Sequence, residues 1–190
     1  MKLPPPKTKG ETSLEETLKQ RRSIRSFTPQ SLTWEQISQL LWAAQGITDK
    51  EGFRTAPSAG ALYPLEIYLV IKEGVYHYKP EGHELEQVLT GDVRPNLAAL
   101  SDDFIAEAPA NIVITAIYPR MERSYREKSS RYVHIEVGHV AQNIHLQAVA
   151  MGLGSVPVGA FYGEQVHRVL SLPKNHQPLY IIPVGYARSS

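Results

Sequence analysis

The amino-acid sequence predicts an α+β domain of 190 residues, and three observations support that fold class. Apolar residues recur every three or four positions from Val133 to Met151, which is typical of one face of a long helix. An almost continuous β-branched run, NIVITAIY from Asn111 to Tyr118, is typical of a central strand. The other helix and strand patterns follow in a mixed order, without the regular alternation of a doubly wound parallel sheet.

Bulk composition indicates an ordinary globular protein with 42% apolar and 21% charged residues. The formal net charge of +1 gives no basis for binding nucleic acid or a membrane surface. The absence of cysteine excludes disulfides and thiolate nucleophiles. The first residues, MKLPPPKTKG, lack the apolar core of a signal peptide, and no apolar run is as long as a membrane span. We therefore expect a cytoplasmic protein with no nucleic-acid or membrane partner.

The N-terminal region is predicted to hold an extended arm and two helices. Residues 1–12 are rich in Pro and Lys, which favours an arm ahead of a single domain at 13–190. Capping boxes that begin at Ser13 and Thr33 predict two helix starts, and Gly46 is expected to end the second helix. We expect the core-facing residues of the first helix to be Leu14 and Leu18. Those of the second are Ile37, Leu40, Leu41 and Ala44.

Short patterns elsewhere predict a hairpin, a last strand and small helices. The runs at 66–72 and 75–79 are typical of two strands joined by a tight turn. The run at 179–186 is typical of a final strand. We expect short helices at 82–89 and 164–170. The polar stretch that follows the central strand is expected to be a mobile loop or the exposed start of the long helix.

The long helix carries a second apolar set besides its first, and we therefore expect it to be buried on two sides. That second set is Ile135, Leu146, Val149 and Leu153. A narrow polar seam lies between the two sets and consists of Tyr132, Glu136, His139 and Asn143. The Glu-x-x-His spacing in this seam occurs in di-iron bundles, but such a site needs a second pair and two more glutamates. No metal site is predicted.

Three stretches have the chemistry of ligand contacts. The segment 21–27 (RRSIRSF) offers guanidinium and hydroxyl donors suited to a phosphate, although a solvated basic helix end is the alternative. The stretch 56–64 (APSAGALYP) has small residues between two prolines, where backbone can approach a ligand, although a plain connection is the alternative. The stretch 154–159 (GSVPVG) forms a compact loop after the long helix. Motifs of hydrolases, P-loop enzymes and Rossmann domains are absent from the sequence.

These stretches occur in the order found in a known family. The segments concerned are Arg21 to Arg25, Pro57 to Pro64, Gly152 to Phe161 and Pro183 to Tyr186. Together they resemble the FMN-dependent nitroreductase family. The SagB-type dehydrogenase branch is resembled most closely, through the PSAGALYPLE loop and through Tyr132, Gly138-His139 and Gln142-Asn143 of the long helix. The resemblance implies an α/β/α sandwich with a mainly antiparallel sheet flanked by helices. It also implies a homodimer with two FMN sites at the subunit interface.

The resemblance also implies residue roles. Arg21, Arg22 and Ser23 would hold the FMN phosphate and ribityl chain, and Arg25 would lie near the N1/O2 edge of the flavin ring. Arg188 would reach the phosphate from the chain's end. The partner subunit would close the site through a loop that includes Pro57, Ser58, Ala59, Gly60 and Leu62. The ring would lie along a second loop, formed by Pro157, Val158 and Gly159.

The implied activity is electron transfer from NADH or NADPH, through flavin N5, to a nitroaromatic, quinone or similar small acceptor. Two departures keep alternatives open. Ala61 and Tyr63 stand where common nitroreductases carry Asn and Gln. Azoline-oxidising members use a Lys-Tyr pair where this chain has Arg131-Tyr132, and arginine is no base near neutral pH. The alternatives are oxidation of a peptide azoline, with Tyr132 as the catalytic candidate and a modification-enzyme partner, and flavin binding without turnover.

Overall fold

The computed structural model describes residues 1–188 and contains seven helices and six strands in that range. The helices are α1 Leu14–Gln20, α2 Trp34–Gln45, α3 Arg94–Ala98, α4 Phe104–Glu107, α5 Pro119–Tyr125, α6 Ser129–Ala150 and α7 Gly163–Val169. The strands are β1 Leu65–Ile71, β2 Gly74–Lys79, β3 Glu84–Thr90, β4 Ala110–Ala116, β5 Gly154–Ser155 and β6 Gln177–Gly185. Two 3-10 turns, Ala59–Ala61 and Arg126–Lys128, precede β1 and α6.

The six strands form one antiparallel sheet in the order β3-β2-β1-β4-β6-β5. Every residue of β4 is buried, and this strand pairs with β1 on one side and β6 on the other. A strand that is covered on both faces has no polar alternation, which is why its sequence is a continuous apolar run. The central strand and the α+β class predicted from the sequence are confirmed.

Helices cover both faces of the sheet and form two separate cores. In β1, Ile67 and Leu69 belong to the core on the side of α2 and α6, whereas Tyr68 and Val70 belong to the opposite core. The opposite core includes apolar residues of α3, α4 and α7. Because successive side chains of a strand point to opposite faces, one strand contributes to both cores. The predicted helix/sheet/helix sandwich is confirmed.

The short helix predicted at 82–89 is wrong, because this stretch forms the edge strand β3. Leu85 is buried opposite Tyr78 of β2, so the pairing selects an extended backbone over a marginal helix of one or two turns. The N-terminal residues then pair with the outer side of β3. The N–H of Leu3 donates to the carbonyl of His83 (3.1 Å) and that of Leu85 to the carbonyl of Met1 (2.8 Å). This pairing covers part of an otherwise open sheet edge.

Both capping boxes are present, but the expected inward side of α1 is wrong. Leu14 and Leu18 are 60% and 52% exposed in the single chain, and the buried residue of α1 is Thr17. The second apolar set of α6 is also incompletely covered, since Ile135 is 48% exposed. Uncovered leucines on α1 and an uncovered isoleucine on α6 leave apolar surface outside both cores. Within residues 1–188, no helix combines the length and the apolar character needed to cross a membrane.

Candidate functional site

The basic segment, residues 21–27, is held in place as an extra strand-like piece beside β5 and the end of β6. Its Ser23 forms a parallel bridge with Ser155, and the N–H of Ile24 donates to the carbonyl of Ser155 at 3.1 Å. At its other end, the N–H of Arg188 donates to the carbonyl of Ser26 at 3.0 Å. The side chain of Phe27 is fully buried and anchors the segment in the core. The structure thus brings Arg188 and the basic segment together.

The arginines of the basic segment carry charge that no carboxylate of the described residues neutralises. Within residues 1–188, the guanidinium groups of Arg21, Arg22 and Arg25 have no carboxylate oxygen within 4.0 Å. Arg22 donates to the backbone carbonyls of Lys19 (3.0 Å) and Arg21 (2.7 Å) at the end of α1. Guanidinium groups with no counter-ion in the described part of the chain, next to a serine hydroxyl, form a donor set suited to a phosphate.

Gly154 allows the basic segment to approach β5 closely. A Cβ atom at this position would lie 2.8 Å from the Cβ of Ile24, closer than packed side chains tolerate. The chain then continues from β5 into the loop Pro157–Gly159, which Val158 fixes by a bridge to Ile181 of β6. The loop Pro157–Gly159, which is predicted to lie along the flavin ring, therefore follows directly after β5, the strand that pairs with the basic segment.

His145 of α6 lies under this junction. Its Nδ1 is 2.8 Å from the hydroxyl of Ser155. Burial, reinforced by the positive charge of Arg21, lowers the pKa of His145 to about 4. The imidazole is therefore neutral at physiological pH and does not add to the positive charge of the basic segment. Sequence patterns offered no signal for this role, since the sequence shows only a histidine within a helix.

The loop Pro57–Leu62 lies against α5 and the first half of α6. The Ser58 hydroxyl accepts a hydrogen bond from the N–H of Tyr63 at 3.0 Å, which closes a tight turn. Gly60 has a φ of +63° and lies so close to Tyr125 that a Cβ would be 3.0 Å from the phenol oxygen. Ser58 faces the side chain of Glu136 in α6. Glu136 and His145 are about 14 Å apart along the helix axis at 1.5 Å per residue, so this loop and the basic segment lie at different levels of α6.

A family model describing the nitroreductase family matches residues 18–186, nearly the whole chain. This chain belongs to the nitroreductase family. It is 46% identical over 183 residues to MJ1384 of Methanocaldococcus jannaschii, a protein named as a nitroreductase, covering 92% of this chain and 91% of that one. The family is one of oxidoreductases, and this chain is therefore an oxidoreductase.

Two further proteins, one compared by structure and one by sequence, are also similar to this chain. A crystal structure of a nitroreductase from Ralstonia eutropha JMP134 superposes with a TM-score of 0.91 at 33% identity, covering 99% of this chain and 89% of that one. The microcin B17-processing protein McbC of Escherichia coli is 28% identical over 132 residues, which is 63% of this chain and 48% of McbC. The fold of the nitroreductase family is thus matched throughout, and part of it is shared with a peptide-processing protein.

Tyr132, the catalytic candidate from the sequence, forms an aromatic pair with Tyr125 in this nitroreductase-family chain. Its ring centroid is 4.7 Å from that of Tyr125, and the Tyr118 and His134 centroids are 6.3 Å apart nearby along the chain. Tyr125 is also the residue that Gly60 approaches. The Tyr125–Tyr132 pair therefore lies beside the Pro57–Leu62 loop, where a flat acceptor bound next to that loop would meet aromatic side chains.

A second ionic cluster lies around Glu66 of β1 and was not predicted from the sequence. Burial raises the pKa of this carboxyl, but a hydrogen bond from His77 and the charge of Arg120 outweigh burial and lower it to about 2. Two residues further along β1, the hydroxyl of Tyr68 lies 2.7 Å from Nδ1 of His176. A polar cavity of about 480 Å³ is lined by Glu66, His77, Arg120 and His176. The cluster joins residues of β1, β2, α5 and the segment before β6, so only the tertiary structure brings them together.

Proposed function

We propose that this nitroreductase-family oxidoreductase binds FMN and transfers electrons from NADH or NADPH to a small acceptor such as a nitroaromatic or a quinone. The observation that carries the proposal is the basic segment, with three guanidinium groups that no described carboxylate neutralises, fixed beside the start of the Pro157–Gly159 loop. FMN is the cofactor typical of the family. We also propose that the protein works in the cytoplasm.

The residues present fit such a cofactor. Arg21, Arg22 and Ser23 would hold the phosphate, and Arg188 supports the segment while its guanidinium donates to the carbonyl of Phe27 at 3.0 Å. A phosphate monoester carries nearly two negative charges, which this donor set can neutralise. The bound flavin would supply the redox chemistry, because it accepts and releases the electron pair.

The protein's own contribution is binding, orientation and electrostatics. Arg25 would place a fixed positive charge at the N1/O2 edge, where reduction leaves negative charge. The backbone of Pro157, Val158 and Gly159 would lie along the ring with an N–H near N5. Donor and acceptor would use the same ring face in turn, so the reaction would follow ping-pong kinetics.

We also propose that the working unit is a homodimer. The Pro57–Leu62 loop lies beside Glu136, whereas the basic segment lies beside His145, so one flavin would use the basic segment of one copy and the loop of the other. The exposed apolar side chains of α1 and the second side of α6 provide surface for such a contact. Stable interfaces of obligate dimers bury roughly 2,000 Å² or more.

A second candidate function follows from the similarity to McbC and from the sequence features of the SagB-type branch. In this alternative an azoline in a modified peptide would lose two electrons and two protons to become an azole; Tyr132 would take or relay a proton, and a bound flavin would supply the electron acceptor. The peptide would then be delivered by a modification-enzyme partner. Two assays separate the functions. Reduction of a quinone by NAD(P)H would favour the first function, and oxidation of an azoline peptide would favour the second.

The purified protein is expected to be yellow and to run as an FMN-loaded dimer. Heat release followed by chromatography should yield FMN rather than FAD, because the sequence contains no Rossmann motif that would hold an adenosine half. Light scattering should give twice 21.2 kDa. Finding FAD, or finding no flavin after incubation with FMN, would contradict the proposed cofactor. A flavin-loaded monomer at micromolar concentration would contradict the shared site.

The Arg25→Ala protein is expected to bind oxidised FMN and to show a lower two-electron potential. The phosphate contacts remain, but a charge that favours the anionic reduced flavin is lost. A charged hydrogen bond is worth roughly 1.5–3 kcal/mol, and about 30 mV corresponds to about 1.4 kcal/mol for two electrons, so the drop should be on the order of 30–65 mV. A dye-coupled reductive titration measures it, with Arg168→Ala as the control for an exposed arginine elsewhere. An unchanged potential with weaker FMN binding would place Arg25 at the phosphate.

A further inference from the structure

A buried carboxyl group lies in α6 beneath the loop that we assign to the flavin. Glu136 is only 2% exposed, and its Oε2 has no hydrogen-bond partner within residues 1–188. Its Oε1 receives one long hydrogen bond, 3.5 Å from Nε2 of Gln45. A buried carboxylate normally accepts several hydrogen bonds, and leaving one of its oxygens without a partner is costly. The site therefore suits a neutral carboxylic acid better than an ion.

The groups that face Glu136 come from two other elements. Gln45 of α2 is neutral, and its Oε1 accepts from Nη1 of Arg54 at 3.2 Å. Arg54 is the one charged group among the described residues whose charge acts on this carboxyl, and that charge favours the ionised form. Its guanidinium also stacks 4.5 Å from the centroid of the Tyr63 ring and pairs with the exposed Glu81. Burial is the dominant effect and raises the pKa of Glu136 to about 7. The Ser58 hydroxyl, Gln45 and Arg54 each lower this pKa, but by less than burial raises it.

Ser58 connects this carboxyl to the loop. Its hydroxyl oxygen has two lone pairs, and the N–H of Tyr63 occupies one of them. Tyr63 is itself fixed, because its phenol oxygen accepts from the N–H of Arg54 at 3.1 Å and Arg120 donates to its carbonyl at 2.8 Å. The second lone pair of Ser58 remains available to a proton on Oε2 of Glu136. A neutral Glu136 can therefore bind both Gln45 and Ser58 at once.

We propose that Glu136 is a positioning residue for the flavin site: its protonated carboxyl donates to Ser58 and holds the Pro57–Leu62 loop, so that FMN binding is accompanied by proton uptake at Glu136. The inference rests on the proposed FMN site. A flat ligand on this loop removes the water that now reaches its exposed residues, and desolvation favours the neutral carboxyl further. Glu136, which is only partly protonated at neutral pH in the free protein, then takes up a proton from the solvent and becomes fully protonated.

Calorimetric FMN titrations at pH 7, in two buffers of different ionisation heat, test the proposal on the full-length protein. At pH 7, a pKa of about 7 leaves Glu136 roughly half protonated, so binding should take up about half a proton per FMN. Glu136→Gln keeps one acceptor for Gln45 and one donor for Ser58, so it should bind FMN within about threefold of the parent and take up no proton. Glu136→Leu removes both bonds and should weaken FMN binding at least tenfold.

The readouts separate this inference from the proposed function. Equal proton uptake by the parent and Glu136→Gln would overturn the role of Glu136 while leaving FMN binding intact. Failure of both proteins to bind FMN would overturn the proposed cofactor. In that case infrared spectra without FMN still test the carboxyl: a protonated C=O stretch should be present at pH 6, absent at pH 9 and absent from Glu136→Gln. Its absence from the parent at pH 6 would refute a neutral Glu136.

Discussion

The Gly154→Ala protein is expected to fold and to bind FMN about 10²- to 10⁴-fold more weakly than the parent. The added methyl would lie 2.8 Å from the Cβ of Ile24, so the basic segment must move away from β5. Overpacking of this kind costs roughly 1–3 kcal/mol of stability, less than the total stability of a typical domain. Displacing the arginines removes two or more charged hydrogen bonds of roughly 1.5–3 kcal/mol each, and every 1.4 kcal/mol is tenfold in affinity.

Fluorescence titration of FMN into the apo-protein measures this loss, and circular dichroism verifies that the fold persists. Gly163→Ala is the matched control, because a Cβ at that position meets no atom within 4 Å. The control should bind FMN like the parent. If Gly154→Ala kept the parent's affinity while folding normally, the basic segment would not be the phosphate site, and the proposal would need another set of cations.

Lowering the pH from 6.5 to 4 is expected to remove stability through two buried histidines, on the order of 2–3 kcal/mol each. Burial, with the charge of Arg21, lowers the pKa of His145 to about 4. Burial likewise lowers the pKa of His176 to about 4, although the carboxylate of Glu66 opposes the shift. Between pH 6.5 and 4 the unfolded chain binds protons that the folded chain excludes, so the contribution is complete above pH 6.5 and falls as pH decreases.

Urea unfolding at intervals between pH 4 and 8 measures this dependence. Glu136 affects the free energy of unfolding in the opposite direction. Its raised pKa makes the folded chain bind more protons than the unfolded chain between about pH 4.5 and 7, so its contribution to stability grows as the pH falls. The two effects partly cancel in the parent, so the comparison is between variants. His145→Asn and His176→Asn should each flatten the acid side of the curve. His139→Asn, at an exposed position of α6, should not change it. Equal slopes in all four proteins would show that neither buried histidine excludes a proton.

Local patterns predicted the parts of the fold that local physics governs. The capping boxes at Ser13 and Thr33 form because each cap is made by residues three positions apart. β4 and α6 were predicted because their apolar patterns are long enough to distinguish a buried strand from a helix. The stretch 82–89 was assigned wrongly, since a short run of mixed polarity fits either structure and its partner strand decides.

In the candidate site, too, some features follow from the sequence and others only from the tertiary structure. The sequence by itself determined the residue types that suit a phosphate, their order along the chain and hence the family. Tertiary structure decided that Gly154 brings Ile24 against β5, that Leu14 and Leu18 lie outside the core, and that Glu136 is sealed under Ser58. The reason is that burial and charge balance depend on residues far apart in the chain. A glutamate in a helix has the same local pattern whether water or a closed loop covers it.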